Sequence, residues 1–527
     1  MNEFDQDYLV PDGTGLHEIK DAVQARCRIG ESESRSVTRR FHDTFDWFAF
    51  TAGGAVEERL DGARRQLLWH DLRGDGPTLV QELDVDPGFG DKLTPGPVAE
   101  CLAPVLGIRR LLPLLDVQSR VQTLRLLNDD DKTVVRLEIE ENRFEDSGRE
   151  RQGPLSTRLR LRSVRGYDDE YRQTVHLLDE ELGLSLARNS LLLEALAAAG
   201  KVPGSYSSKL AFRLDPERRA DSTAKEILLH LLDTIEANVP GTKENLDSEF
   251  LHDLRVAVRR SRSALTQIKS VFAPDVVEEY KERFGWLGQV TGPVRDLDVY
   301  LLEFDDYQRS LPEPLRPHLE QLREFLLAHY GEEQRALAKI MGSRQFRDLL
   351  KDWRAFLETP VPERSVVPNA MRSVKAVSDE RIWRMYKRVR QEGRAIGATS
   401  PEEDLHELRK SCKKLRYLIE FFGSLYPKRE IRKLIKLLKM LLDNLGKFQD
   451  LAVQAGSLRE MAQKMREEGR AETDTLLTMG VLVGDLLNRQ TQARAEFAET
   501  FATFDSEDHR SLFKALFAAA KKEGKGA

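Results

Sequence analysis

Two periodicities divide the chain. In roughly the first two hundred residues, apolar side chains recur at every second position over short runs: 121–126 (Val-Gln-Thr-Leu-Arg-Leu), 134–140 (Val-Val-Arg-Leu-Glu-Ile-Glu) and 157–162 (Thr-Arg-Leu-Arg-Leu-Arg). Alternation with period two predicts antiparallel strands that bury one face, and the Asn, Asp and Gly clusters between the runs supply turns. Helical spacing occurs at 98–106 and 167–199, so this part reads as an α+β domain. Residues 201–208 (Lys-Val-Pro-Gly-Ser-Tyr-Ser-Ser) break the periodicity and serve as a linker. Beyond them the chain reads as all-α. The expected boundaries are 1–200 for the α+β domain, 201–209 for the linker and 210–527 for the helical domain.

The helical part repeats itself. Residues 252–262 (His-Asp-Leu-Arg-Val-Ala-Val-Arg-Arg-Ser-Arg) and 406–416 (His-Glu-Leu-Arg-Lys-Ser-Cys-Lys-Lys-Leu-Arg) align cation over cation without a gap. Downstream, 295–299 (Arg-Asp-Leu-Asp-Val) pairs with 449–453 (Gln-Asp-Leu-Ala-Val), and His252 to Asp296 spans the same 44 positions as His406 to Asp450. That register indicates a duplication with a period of 154 residues, with repeats at about 215–360 and about 370–527. At about 100° per residue, His252, Arg255, Arg259 and Arg262 fall within an arc of roughly 80°, and His406, Arg409, Lys413 and Arg416 do the same. Leu254, Val258 and Leu265, or Leu408, Leu415 and Ile419, stand away from the stripe, so each helix can pack and still present its cations. Ser400 is the expected N-cap of the second stripe helix, with Pro401 opening it and Glu403 completing a capping box. His406 then lies in the second turn, toward the end of the helix that favours an anion.

Charge sharpens this picture. Residues 405–440 hold eleven Lys or Arg against only Glu407, Glu420 and Glu430, and Arg381, Arg384, Lys387, Arg388, Arg390 and Arg394 add a further basic face. A merely solvated helix face mixes its signs, whereas stacked like charges cost stability unless an anion neutralises them. The candidate anion-binding residues are His252, Arg255, Arg259, Arg260, Arg262, His406, Arg409, Lys410, Lys413, Lys414, Arg416, Arg384 and Arg388. Taken alone, the two histidines read more simply as hydrogen-bonded structural residues, because no neighbouring Cys or second His offers metal-ligand spacing. The stripes carry no aromatic residue of the kind that stacks nucleic-acid bases, and Tyr417 and Phe421 beyond the second stripe read as core.

The paired H-x-x-R-x-x-x-[RK]-[RK]-x-R helices, with Arg-Asp-Leu-Asp-Val after the first, resemble the CHAD domain, the conserved-histidine α-helical domain. The resemblance runs from about Lys209 to the C-terminus. It implies two pseudo-symmetric four-helix bundles around a basic groove that binds inorganic polyphosphate, and so a partner at polyphosphate granules. Gln449 in place of Arg295, and Ala452 in place of Asp298, weaken the second downstream motif. The ligand suits the residues on chemical grounds: a polyanion with no bases needs a row of guanidinium and ammonium donors and little else.

The whole chain has net charge −6, but residues 1–209 carry 28 Lys plus Arg against 37 Asp plus Glu, a net of −9 that leaves +3 for the remainder. Nucleic-acid binding through net field is not expected. Cys27, Cys101 and Cys412 fit free thiols in a reducing compartment, residues 1–5 lack the features of a secretion signal, and no apolar run reaches membrane-span length, which together predict a cytoplasmic protein.

Residues 40–46 (Arg-Phe-His-Asp-Thr-Phe-Asp) and the strand ending at Glu138 and Glu140 are similar to parts of the CYTH, or triphosphate tunnel metalloenzyme, fold, over perhaps residues 5–200. That resemblance implies a barrel-like antiparallel domain in which paired carboxylates hold a divalent metal. The family's E-x-E-x-K strand is absent near the start, and Arg160 and Arg162 stand where it tends to place an E-x-E pair. Glu138 and Glu140 read as a solvent-facing alternation on an edge strand. The expectation is therefore a degenerate companion domain with no catalytic residue, metal or cofactor, and a noncatalytic polyphosphate-binding protein overall. Two alternatives stand beside it: a metal-dependent triphosphatase or polyphosphatase using the first domain, and a helical scaffold whose basic groove receives an acidic protein segment.

Overall fold

The computed structural model describes residues 6–518 apart from 12–15, 32, 74–75, 147, 149–150, 188 and 211–212; residues 1–5, read above for a secretion signal, lie outside this set. The chain divides into two compact units, Met1–Ser207 and Ser208–Ala527.

The first unit is built on antiparallel strands β1 (Gln6–Leu9), β2 (Arg28–Ile29), β3 (Glu33–Asp43), β4 (Gly54–Asp61), β5 (Arg64–Asp71), β6 (Leu79–Glu82), β7 (Leu112–Leu127), β8 (Thr133–Asp146), β9 (Gln152–Pro154), β10 (Arg158–Ser163) and β11 (Ser185–Leu186). Their order is β11-β1-β10-β8-β7-β3-β4-β5-β6, with β2 on β7 and β9 on β8. The α+β architecture is as expected, and the three alternating runs fall in β7, β8 and β10. Among the described strands the sheet stays open, ending at β11 and β6, where a barrel-like closure was anticipated.

Five helices accompany the sheet: α1 (Leu16–Gln24), α2 (Phe48–Thr51), α3 (Pro97–Leu106), α4 (Asp168–His176) and α5 (Leu191–Ala198). The single helix expected over 167–199 is broken. After α4 the chain makes a π turn over Leu177–Glu181, reverses at Gly183 with φ of 62°, and pairs β11 with β1 before α5 begins. Positive φ is accessible to glycine at little cost, which makes Gly183 the stop signal. A second correction concerns β8. It lies between β10 and β7, not at an edge, and its Glu138 and Glu140 are only 9% and 2% exposed.

The second unit is helical. Its first copy comprises α6 (Ala220–Glu244), α7 (Ser248–Gln267), α8 (Pro274–Val290), α9 (Gly292–Leu302), α10 (Phe304–Ser310), α11 (Glu320–Met341) and α12 (Arg344–Glu358); its second comprises α13 (Val374–Ala395), α14 (Glu402–Phe422), α15 (Lys428–Glu467), α16 (Thr473–Phe504) and α17 (Glu507–Phe517). The first residues of α6, α7 and α8 recur 154 positions later as those of α13, α14 and α15. Two breaks distinguish the copies: α8, α9 and α10 correspond to the single 40-residue α15, and the first break, between α8 and α9, has a clear cause. Pro293 supplies the reason, standing where the second copy has Lys447. It offers no N–H to the carbonyl of Gln289, and its ring crowds the preceding turn.

Two apolar cores hold this unit together. The larger draws on α6, α7, α8 and α12 of the first copy and α13, α14, α15 and α17 of the second, with Trp353, Phe284, Tyr386, Phe422 and Phe513 fully buried. The smaller is mixed as well: Phe304, Tyr307, Leu322 and Phe325 of the first copy pack against Leu451, Leu458, Met465, Met479 and Leu482 of the second. Each copy alone would expose these faces to water, so duplication and folding are coupled.

The cap expected at Ser400 differs in detail. α14 begins at Glu402 with no side-chain cap, and the Ser400 hydroxyl accepts instead from the N–H of Gly397. Folding the hydroxyl back onto its own turn satisfies it locally, and α14 relies on Glu402, Glu403 and Asp404 in its first turn for favourable interaction with the helix dipole.

Candidate functional site

In the first copy, Arg255, Arg259 and Arg262 line a cleft of about 270 Å3 that α7 forms against Gly285, Gly288 and Gln289 of α8. Arg255 is half-buried, and its Nη1 donates to the carbonyl of Gly288 at 2.9 Å and to the Thr291 hydroxyl at 2.7 Å. Burial and then the neighbouring Arg259 push its pKa down, although Asp296 pulls the other way. Arg259 and Arg262 are exposed on the same face. In the second copy, Arg409, Lys413 and Arg416 line a cleft of about 330 Å3 against Leu442, Asp443, Gly446 and Lys447 of α15, with Asp450 and Tyr417. The three cations in each cleft are one another's counterparts at 154 residues, so both stripes face clefts between the same pair of elements.

Two glycines complete the correspondence. A Cβ built at Gly292 would lie 3.8 Å from Arg255 Nη1, and one at Gly446 would lie 3.5 Å from Arg409 Nη2, so in each copy the guanidinium lies beside a glycine backbone at contact distance. Hydrophobic periodicity does not single these glycines out; their 154-residue register does. The register also reaches Asp296 and Asp450. Asp450 accepts from Arg409 Nη2 at 2.9 Å, tying α14 to α15.

The two stripes are electrostatically joined. Burial first, and then Arg409 and Arg259, push the Lys413 ammonium down to about 8, an effect that Asp450 only partly offsets. Arg259 belongs to the first copy and Arg409 to the second, so Lys413 feels excess positive charge from both. Glu420 links the copies on another side of α7 and α14, taking Arg260 of the first at 3.1 Å and Arg416 of the second at 2.7 Å. Arg260 also donates to the carbonyl of Ser208 at 2.9 Å, so it fastens the helices together and is not a member of either cleft.

The remaining candidates lie elsewhere. His406 Nδ1 donates to Gln449 Oε1 at 3.1 Å, which holds α14 to α15, and neither stripe cleft is lined by a histidine. His252 is half-buried one turn before Arg255. Lys410 pairs with Glu407 on the exposed side of α14. Arg384, Arg388 and Lys414 line a different cleft. Tyr417, read as core, is half-buried and walls the second stripe cleft, while Phe421 is indeed buried. The weaker second motif has a structural counterpart. Arg295 and the buried Asp298 stand 3.9 Å apart in the first copy, with burial raising Asp298 to about 6, whereas Gln449 and Ala452 carry no charge there.

In the first unit the charged face of the sheet is internally paired. Glu140 meets Arg39 at 2.9 Å and Arg160 at 3.5 Å, and Glu138 meets Arg35 at 2.9 Å and Arg162 at 3.2 Å. Arg160 also forks onto Asp7 at 2.6 and 2.9 Å. Burial opposes ionisation of Glu57, yet Arg59, His70 and Arg39 hold its carboxyl well below the usual range. His42 and Arg65 likewise hold Glu58 down to about 2 against its burial. Among the described residues no group of three or more His, Cys, Asp or Glu side chains is placed to hold a metal ion. The 40–46 turn serves locally: Asp43 accepts from the N–H groups of Thr44, Ala49 and Phe50, which fixes the start of α2.

Comparison with known proteins places part of the chain. It is 28% identical over 262 residues to an uncharacterized protein of Mycobacterium tuberculosis strain CDC 1551, covering 44% of this chain and 47% of that relative. The match therefore spans about half the length of the curated relatives. Among solved structures, the CHAD domain from the plant Ricinus communis aligns at 23% identity and a TM-score of 0.45, over 59% of this chain and 95% of that one. A putative adenylyl cyclase from Hippeastrum, reported with a dominant triphosphatase activity, aligns at 14% identity and a TM-score of 0.27, over 38% of this chain and 99% of that one. A family model described as the CHAD domain matches residues 226–459, a span that holds both stripe helices and both clefts. Residues 226–459 of the helical unit thus match the CHAD domain family.

Proposed function

We propose that the helical unit binds inorganic polyphosphate, without catalysis, across the two stripe clefts, and that Arg255, Arg259, Arg262, Arg409, Lys413 and Arg416 provide the anion contacts. The observation that carries this reading is Lys413, which lines the second cleft and whose charge is disfavoured by burial and then by cations from both copies, a cost that an anion laid across them would offset. Clefts of about 270 and 330 Å3 suit a slender chain of phosphates. A row of guanidinium forks beside an ammonium is the donor set such a chain requires.

Titration of the full chain with polyphosphates of defined length, beside single-stranded nucleic acid, tests the proposal. Polyphosphate is expected to bind more tightly, and its affinity to fall about tenfold or more between roughly 50 and 300 mM salt, because several phosphates are neutralised together. A flat salt response would sink the electrostatic account.

A pH dependence follows from Lys413. Burial and the neighbouring cations bring its pKa down to about 8 from the ordinary lysine value of 10.5, so between those values the free protein lacks a proton that the unfolded chain or an anion complex would hold. Affinity for polyphosphate should fall as pH rises through about 8, while resistance to unfolding gains from Lys413 over the same interval. Lys413→Arg should flatten the binding profile, since arginine stays charged throughout. An unchanged profile would remove Lys413 from the contact.

For the first unit, the paired arginines suggest a domain that does not turn over triphosphate: Arg39, Arg160 and Arg162 already occupy the carboxylates that a divalent cation would need. Purified protein is expected to release no phosphate from inorganic triphosphate or nucleoside triphosphates with magnesium or manganese. Metal-dependent release abolished by Glu138→Gln or Glu140→Gln would instead favour the enzyme reading.

A further inference from the structure

A third cleft, of about 650 Å3, opens where the end of α7 and the start of α8 face α13 and α14. It shares no lining residue with either stripe cleft. Its cations are Lys269, Lys281, Arg381, Arg384, Arg388 and Lys414. The carboxylates around it are fewer. Glu278 holds Lys281 at 3.0 Å, Glu392 holds Arg388 at 2.6 Å, and Glu380 is divided between Arg384 at 2.7 Å and Arg372 at 2.9 Å.

Arg381 is the anomaly. Only 5% exposed, it donates Nε to the carbonyl of Gln267 at 2.7 Å, and among the described residues no carboxylate lies within ion-pair distance of it. Its counterpart 154 residues earlier is Ile227, fully buried in the core of the first copy. A guanidinium where the other copy keeps an isoleucine costs desolvation energy, which its bond to the last-turn carbonyl of α7 offsets only in part. Two further features point the same way. Ser270 on the rim is held at φ of 60°, a conformation unusual for a residue with a Cβ, with Asn369 gripping the carbonyls of Lys269 and Ser270 at 2.8 Å each. α8 opens onto the cleft at Pro274 with no side-chain cap, which leaves the positive end of a 17-residue helix facing it.

The remaining wall includes an apolar stretch, Leu265, Phe272, Val277 and Met385, beside Thr266, Gln267 and Ser270. A bare phosphate chain has no use for such a wall. The volume also matches sites for compact organic ligands. We infer that this cleft is a separate site for a small phosphorylated ligand with an apolar or aromatic body, of the nucleoside polyphosphate class. Its phosphates lie against Arg381, Arg384, Lys414 and the start of α8, and its body lies against Phe272, Val277 and Met385. Arg384, Arg388 and Lys414 thereby leave the polyphosphate set.

Equilibrium titration of the full chain with ATP as probe, and with inorganic tripolyphosphate as competitor, tests this assignment. Arg384→Glu and Lys414→Glu, both away from the buried core, are each expected to weaken ATP binding about tenfold or more. Arg259→Glu should leave it within about twofold. Tripolyphosphate should displace ATP from the wild type no better than about one tenth as well as ATP itself. ATP affinity unmoved by both cleft variants, or lost equally in Arg259→Glu, would overturn the separate site, and equal displacement by tripolyphosphate would overturn the apolar selection. The polyphosphate reading fails on a different result, namely long-chain polyphosphate binding that Arg259→Glu does not change.

Discussion

Charge reversal at Arg259 and Lys413 together is expected to weaken polyphosphate binding by about a hundredfold or more. In the proposed complex each residue would contribute a charge-assisted contact to phosphate, worth roughly 1.5–3 kcal/mol, and reversal would add repulsion to the loss. Either single change should give a smaller effect, and the double variant should exceed the product of the singles, because Arg259 and Lys413 act on one electrostatic site. Folding should survive. Arg259 is exposed and Lys413 half-buried, and an acidic side chain at each position is attracted by the neighbouring Arg255 or Arg409. Helical content by circular dichroism alongside the titration separates the two outcomes: loss of binding with helicity intact supports the clefts, whereas loss of helicity would make the stripes structural.

Trp353→Ala is expected to destabilise the helical unit by about 3–5 kcal/mol, the range for removing a large aromatic from a core that cannot collapse around the void. Trp353 is fully buried on α12, with ring centroids at 4.2 Å from Tyr280, 5.6 Å from Phe284 and 5.4 Å from Phe356. Together with Phe346, Leu349 and Leu357 it forms the apolar face that seats α12 in the larger core. The measurement is the denaturant midpoint of the helical transition, with the strand-rich unit followed separately because a chain of two units need not unfold in one step. A shift corresponding to less than about 1 kcal/mol would show that α12 is not needed to hold the first copy together.

Much of the helical unit was legible before any coordinates. The 154-residue register places α7 over α14, and helical geometry puts Arg255, Arg259 and Arg262 on one face, which the first stripe cleft then displays. Other features resisted. Periodicity marks Arg260 as one more basic residue, yet Glu420, 160 positions away, takes it out of the clefts. The same holds for Glu138 and Glu140: alternation on β8 is compatible with a solvated face, and only pairing between β10 and β7, with arginines from β3 and β10 arriving opposite, makes that face a buried ionic layer. The helix expected over 167–199 failed at Gly183, where a left-handed residue and pairing with β1 outweighed local helical spacing.

What the amino-acid sequence determined by itself is therefore local and periodic: which stretches are strand or helix, that the helices are duplicated, and which cations share a helix face. These follow from the repeat distances of the backbone, 2 and about 3.6 residues, and from comparing one stretch with another. The tertiary structure decided which charges are spent on one another and which remain open. Arg260 and Arg160 are neutralised by carboxylates brought from elsewhere in the chain, whereas Lys413 is held among cations and Arg381 lines a cleft. The reason is physical: the Coulomb energy of a side chain depends on its neighbours in space and on their burial, and neither is a function of spacing along the chain.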